Sequence, residues 1–216
     1  VKFKAILFDL DGTLLDTIED LTDSMNMVLN RLGLPGHSVE TCKKFVGDGV
    51  EMFALRALPE THRDDASVAR CAADMRDVYR KRWSLKTRPY DGIPDLLDGL
   101  KQHNLRMAVL SNKPDDSTKE MVAELLSKWR FDPVVGARFS VPKKPAPTGA
   151  LEISRYLDLP PEEFLYLGDT GTDMKTARAA GMFAVGVLWG FRTADELATS
   201  GAEVLIKHPA EALLLL

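Results

Sequence analysis

The sequence predicts an α/β fold: a three-layer core built on a parallel sheet, with a small α-helical cap inserted after the first strand. Three observations carry this. Short apolar runs recur at 4–10, 106–112, 164–170, 183–190 and 202–206, each followed by helically spaced residues, and that alternation marks strands joined by crossover helices. The runs are continuously apolar rather than alternating, as expected where helices cover both sheet faces. The interval from the first run to the second, residues 11–105, is far longer than one crossover helix requires.

The first run, "KAILFDL", is a buried strand that ends in acids. Ile18, Leu21, Met25, Val28 and Leu32 follow at alternating spacings of three and four, which predicts a helix with Thr17 as N-cap and with Gly33 and Pro35 ending it. Further helices are expected over 38–45, 49–58 and 64–83, giving a helical insert at 16–85. "RPYDGIPDLLDGL" re-enters the core, with Ile93, Leu96, Leu97 and Leu100 on one helix face. "DPVVGA" at 132–137 predicts one more short strand, and the terminal "ALLLL" the packed end of a short helix. The core is thus expected from 1–15 and 86–216.

Composition narrows the partners. A chain of 216 residues that is 45% hydrophobic and 28% charged is long enough for one core and an insert, and is unlike disordered or fibrous sequences. A net charge of −4 gives no general attraction for nucleic acid, so any phosphate needs a local cationic site. Cys42 and Cys71 lack metal-ligand spacing and are expected to be packing residues in a reducing compartment. The acids arrive too early for a leader, and no apolar run reaches the roughly 18 residues of a membrane span. A cytoplasmic location is expected.

The acids carry the chemistry. In an extended strand residues i and i+2 face one side, so Asp9 and Asp11 should project together while Phe8 and Leu10 face the other way. Gly12 then permits a sharp exit. "LYLGDTGTDM" repeats the pattern, an apolar run leading to Asp169 and, four positions on, Asp173. Ligands of open α/β sheets sit beyond the carboxyl ends of the strands, so four acids are expected at one rim. Like charges at ~4 Å repel by about 4 kcal/mol at an effective dielectric of 20, which calls for a cation or for protonation. All-oxygen ligands suit a hard divalent ion, Mg2+ above all. "VLSNKP" adds the hydroxyl of Ser111 and the amide of Asn112, and "VPKKPAP" adds Lys143 and Lys144 in a proline-braced loop.

Together and in this order, Asp9-Leu10-Asp11-Gly12-Thr13, Ser111-Asn112, Lys144-Pro145-Ala146-Pro147 and Gly168-Asp169 through Asp173 resemble the motifs of the haloacid dehalogenase superfamily. The resemblance implies a Rossmann-like core with a mobile helical cap, and Mg2+-dependent hydrolysis of a small phosphate monoester through an aspartyl phosphate. Asp9 would be the nucleophile and Asp11 the acid and then base. Ser111 and Lys144 would complete the catalytic set, and Thr13 and Asn112 would contact substrate. Asp9, Asp11 and Asp169 would hold the metal, with Asp173 either at the ion or orienting Lys144.

"FVGDGV", "RPYDGI" and "GVLWGFRTADEL" further resemble the phosphoglycolate phosphatases, which places Gly47, Asp48 and Gly49 in a substrate-selecting cap loop. Paired glycines there would let backbone N–H groups approach an anion. A substrate carboxylate calls for a cation, for which Lys43, Lys44, Arg56 and Arg192 are candidates. Arg192 also precedes an expected Thr193–Glu196 capping box. Pyrophosphatase, sugar-phosphate phosphatase and phosphomutase activities would use the same core, as would a non-catalytic phosphate-binding module. The expected partner is a small phosphate ester, with no nucleic acid or membrane, and the expected state is monomer or homodimer.

Overall fold

The computed structural model describes residues 3–216. In chain order the elements are β1 (Ala5–Phe8), β2 (Leu15–Asp16), α1 (Ile18–Arg31), α2 (Val39–Phe45), α3 (Val50–Ala57), α4 (Asp65–Arg80), β3 (Arg88–Pro89), α5 (Ile93–Gln102), β4 (Arg106–Pro114), α6 (Asp115–Leu125), β5 (Val134–Ala137), α7 (Thr148–Leu157), β6 (Phe164–Gly168), α8 (Gly171–Ala180), β7 (Phe183–Val187), α9 (Ala194–Thr199) and β8 (Val204–Ile206). The short helix expected at the end of the chain is a 3-10 helix, Pro209–Leu215. The chain divides into two compact units, one running to Leu15 and resuming at Pro89–Leu216, the other Asp16–Arg88.

The first unit is an α/β, Rossmann-like layered core. Its six strands run in the order β5-β4-β1-β6-β7-β8, and every pairing is parallel. One face is packed by Ala5, Leu7, Ala108, Leu110, Phe164 and Tyr166 against Ile153 and Leu157 of α7 and Met174 and Ala177 of α8. The alternate residues Ile6 and Phe8 are fully buried as well. Burying a large apolar side chain contributes about 1.5–3 kcal/mol, so β1 is fixed from both faces.

That anchoring places the site. Phe8 pairs with Val109 on one side and with Leu167 on the other, so the three strands reach the same edge in register. Asp9 follows Phe8 directly, and Ser111 and Asp169 each lie two residues past its partners. From β4 the chain runs outward to β5 and then returns to β6 on the far side of β1. The strand order therefore reverses at β1, where such sheets bind ligands.

One local expectation is corrected. The strand stops at Phe8, so Asp9 and Asp11 do not share a strand face. The N–H groups of Thr13, Leu14 and Leu15 instead fold back onto the Leu10 carbonyl, and Asp11 forms an isolated bridge with Leu15. Thr17 occupies the N-cap position of α1 without a side-chain capping bond, and its buried hydroxyl has no partner among the described residues.

The second unit is helical, α1 contacting α2 and α4, and α3 contacting α4. Cys42 and Cys71 are buried and free within it, as packing residues should be. Asp20 at the start of α1 is fully buried. Its Oδ2 accepts the N–H groups of Lys86 at 2.9 Å and Thr87 at 2.8 Å and the Thr87 hydroxyl at 2.9 Å, tying the first helix to the last segment of the unit. Hydrogen bonds to a charged acceptor contribute about 1.5–3 kcal/mol, and stranding buried donors adds to the loss. Asp20→Ala is therefore expected to destabilise this unit by about 3 kcal/mol, read as a lower urea midpoint. An unchanged midpoint would show that the clamp contributes nothing.

Candidate active site

Four carboxylates and two lysines meet at the carboxyl ends of β1, β4 and β6. Lys144 is the hub. Its side chain is 3% exposed, and its Nζ lies 2.9 Å from Asp9 Oδ1 and 2.6 Å from Asp173 Oδ1. It also donates to the Leu110 carbonyl at 3.1 Å, so three acceptors match the three N–H bonds of the ammonium.

Asn112 fixes the lysine's backbone. Its Oδ1 accepts the Lys144 N–H at 2.9 Å and its Nδ2 donates to the Lys144 carbonyl at 3.1 Å. The amide thus positions Lys144 through both of its ends. Ser111 Oγ accepts the Lys113 N–H at 3.2 Å and keeps its own proton to donate.

Asp9 receives the Leu10 N–H on Oδ1 at 2.7 Å, beside the Lys144 contact on the same oxygen. Oδ2 accepts no hydrogen bond among the described residues. Burial above all, and then the charge of Asp173, raises the Asp9 carboxyl to about 7, against the lowering effect of Lys144. Asp169 is likewise pushed well up by burial and then by Asp173 and Asp9. Burial alone would depress the Lys144 ammonium, but Asp173 and Asp9 outweigh it and hold Lys144 well above its ordinary value.

Asp169 is positioned by the turn after β1 and the loop after β7. The Thr13 hydroxyl donates to its Oδ1 at 3.2 Å and the Phe191 N–H to its Oδ2 at 2.8 Å. Thr13 is fully buried, so it supports the acid, where the sequence suggested a substrate contact. Gly12, at φ +84°, and Gly190 both lie where a Cβ would run into Asp169. The Trp189 indole N–H donates to the Thr13 carbonyl at 3.0 Å, locking loop to turn.

Asp173 is saturated by protein donors. Oδ1 takes Lys144 and the Tyr166 hydroxyl, the latter at 3.3 Å, and Oδ2 takes the Thr170 hydroxyl at 2.5 Å and its N–H at 3.1 Å. It closes a capping box with Thr170 at the start of α8, so the cap residue is Thr170 and Asp173 is its reciprocal partner.

One oxygen from each of Asp9, Asp169 and Asp173 lies within 4.8 Å of the others. Asp11 Oδ1 is buried without a partner among the described residues, while Oδ2 meets Lys113 Nζ at 3.2 Å. With all four carboxylates ionised, two ammoniums would leave two negative charges in a set made wholly of oxygen donors. A hard divalent cation fits that deficit.

Sequence reasoning missed Lys113 and the Gly190–Phe191 turn. The signal for Lys113 was its place in "SNKP", immediately after two residues already singled out. Arg192 lies 3.3 Å from Glu196, and its charge favours ionised Asp169 against the stronger effect of burial. Thr193 caps α9 by accepting the Glu196 N–H. The reciprocal arm of the expected capping box is not formed, because the Glu196 carboxylate meets Arg192 and the Gly171 N–H instead.

Gly47, Asp48 and Gly49 belong to the helical unit. Gly47 at φ 122° and Gly49 at φ 92° take backbone that favours glycine, and Gly49 rather than Asp48 is the N-cap of α3. Arg56 braces the loop through Asp48 Oδ2 at 2.6 Å and the Phe45 carbonyl at 2.9 Å.

Comparison with known proteins gives a consistent picture. A family model described as haloacid dehalogenase-like hydrolase matches residues 6–187. The phosphoglycolate phosphatase of Chromobacterium violaceum is 32% identical over 211 residues, covering 96% of this chain and 94% of that protein. That of Aquifex aeolicus is 32% identical over 192 residues, with 87% and 86% covered. A crystal structure of a candidate phosphoglycolate phosphatase from Lactobacillus delbrueckii subsp. bulgaricus superposes with a TM-score of 0.92 at 30% identity, covering 100% of this chain and 98% of that one.

Proposed function

Because the chain belongs to the haloacid dehalogenase-like hydrolases and is a phosphoric monoester hydrolase of the phosphoglycolate phosphatase-like subgroup, we propose that it hydrolyses 2-phosphoglycolate, with Mg2+, through an aspartyl phosphate on Asp9. The observation that carries this reading is the state of Asp9. Oδ1 is pinned by Lys144 and the Leu10 N–H, which orients the side chain and leaves Oδ2 to attack.

Mg2+ would be held by the Asp9 and Asp169 carboxylates and the Asp11 backbone carbonyl, and would supply the positive charge that lets an anionic nucleophile meet an anionic ester. Asp9 Oδ2 forms a bond to phosphorus as the bond to the leaving oxygen breaks, and Asp11, having taken a proton from solvent, gives it to that oxygen. Asp11, now a carboxylate, takes a proton from the water that attacks phosphorus, and the Asp9 carboxylate is released with inorganic phosphate. Ser111 and Lys144 steady the phosphoryl oxygens, whose spread of charge makes alignment and electrostatics the main contributions. Asp173 acts by orienting Lys144, since each of its oxygens already accepts from two protein donors. The helical unit, Asp16–Arg88, is the cap, and its Gly47–Gly49 loop selects the leaving group.

The test is a panel of 2-phosphoglycolate, pyrophosphate and sugar phosphates, with Mg2+ and with chelator. Phosphoglycolate should give the highest kcat/KM, chelation should abolish turnover, and hydroxylamine should trap a protein-bound acyl phosphate. No phosphate release from any ester would overturn the reading.

A further inference from the structure

We propose that Lys113 is the specificity cation of this site: it pairs with Asp11 while no substrate is bound, and a second anionic group on the substrate takes it over, freeing Asp11 to turn toward the leaving oxygen. This rests on the phosphatase reading above and deepens it.

Lys113 is buried, and its Nζ lies 3.2 Å from Asp11 Oδ2. Its backbone is held on both sides, the N–H by Ser111 Oγ and the carbonyl by the Thr118 hydroxyl. Pairing between β4 and β5 shifts register between Leu110 and Pro114. Such irregularities re-aim side chains at sheet rims, and here three successive residues serve one site.

The division of labour between the two buried lysines follows from their acceptors. Lys144 is committed to Asp9, Asp173 and the Leu110 carbonyl, so its role is confined to the nucleophile and the phosphoryl group. Lys113 stands beside the other acid, the one that serves the leaving oxygen. A carboxylate tied to Lys113 through Oδ2 is fixed in one orientation, while its buried Oδ1 has no partner among the described residues. An exchange of anions on Lys113 keeps the ammonium neutralised throughout, which a buried charge requires. A neutral leaving group offers no anion for that exchange. The fitting substrate class is therefore a small phosphate monoester whose leaving group carries a carboxylate or second phosphate close to the ester oxygen.

The experiment compares 2-phosphoglycolate with ethyl phosphate, in which a methyl group replaces the carboxylate. The wild type should prefer phosphoglycolate by about 100-fold or more in kcat/KM, Lys113→Met should collapse that ratio to within about fivefold, and Lys113→Arg should restore a substantial part of it. A loss shared equally by both esters, leaving the ratio in place, would overturn the proposal, as would a wild type without the preference. Failure of the underlying reading looks different: the wild type would then release phosphate from neither ester. Unchanged circular dichroism and urea midpoint in Lys113→Met separate the effect from misfolding.

Discussion

Replacing Asp9 by Asn is expected to lower kcat/KM by at least about 10⁴-fold, the scale seen when a covalent nucleophile is removed, while the protein stays folded. The substitution keeps the volume of a buried side chain and removes the only oxygen proposed to bond to phosphorus. Phosphate release and hydroxylamine trapping should vanish together. Wild-type turnover in this variant would exclude the covalent route.

The same variant has a signature in stability. Without a divalent ion, burial and Asp173 raise the Asp9 carboxyl from 3.8 to about 7. Between those values the folded protein holds a proton that the unfolded chain has lost, so stability falls as pH rises from about 4 to 7 and the penalty is complete above that. The displacement corresponds to about 4 kcal/mol. In chelator the wild type should therefore melt lower at pH 8 than at pH 5, Asp9→Asn should lose part of that slope, and Mg2+ should raise the melting temperature most at the alkaline end. The raised Asp169 acts in the same direction. A melting temperature that climbs with pH in chelator would contradict this account.

Lys144→Met carries the second large effect. It removes the cation shared by Asp9 and Asp173 in a setting where the side chain is 3% exposed. Breaking a buried pair from one side costs about 3–5 kcal/mol because the remaining charge is uncompensated, and here two carboxylates are left. Phosphate release should fall by about 10³-fold or more, since the nucleophile loses its orienting contact. Adding Asp173→Asn should recover part of the lost stability without restoring turnover, as a double-mutant cycle would show. Equal urea midpoints for Lys144→Met and wild type would show that the lysine is not compensating these charges.

The strands were legible because each is a continuous apolar run, and their parallel order follows from the helical segments between them. Asp9, Asp169 and Asp173 were legible because each follows such a run at a turn. What local pattern could not show is how side chains address one another across the fold. Asn112 grips the backbone of Lys144, 32 positions away, and Thr13 serves Asp169, 156 positions away. Asp20 clamps Thr87 across 67 positions. Each reads in isolation as an ordinary polar residue near a turn. Lys113 was overlooked although alternation sets it on the side of Ser111; the residue that alternation would turn away is Asn112, and the shifted register of β4 lets all three serve one site.

The hold of Asn112 on Lys144 has a consequence for how this chain can vary. Because the lysine's own N–H and carbonyl are indexed to β4, the ammonium takes its address from the sheet rather than from the connection that leads to it. The exposed stretch around Phe139, between the end of β5 and Pro142, is then free to drift in length and composition. Insertions and deletions should accumulate there while the chemistry next to it stays in place.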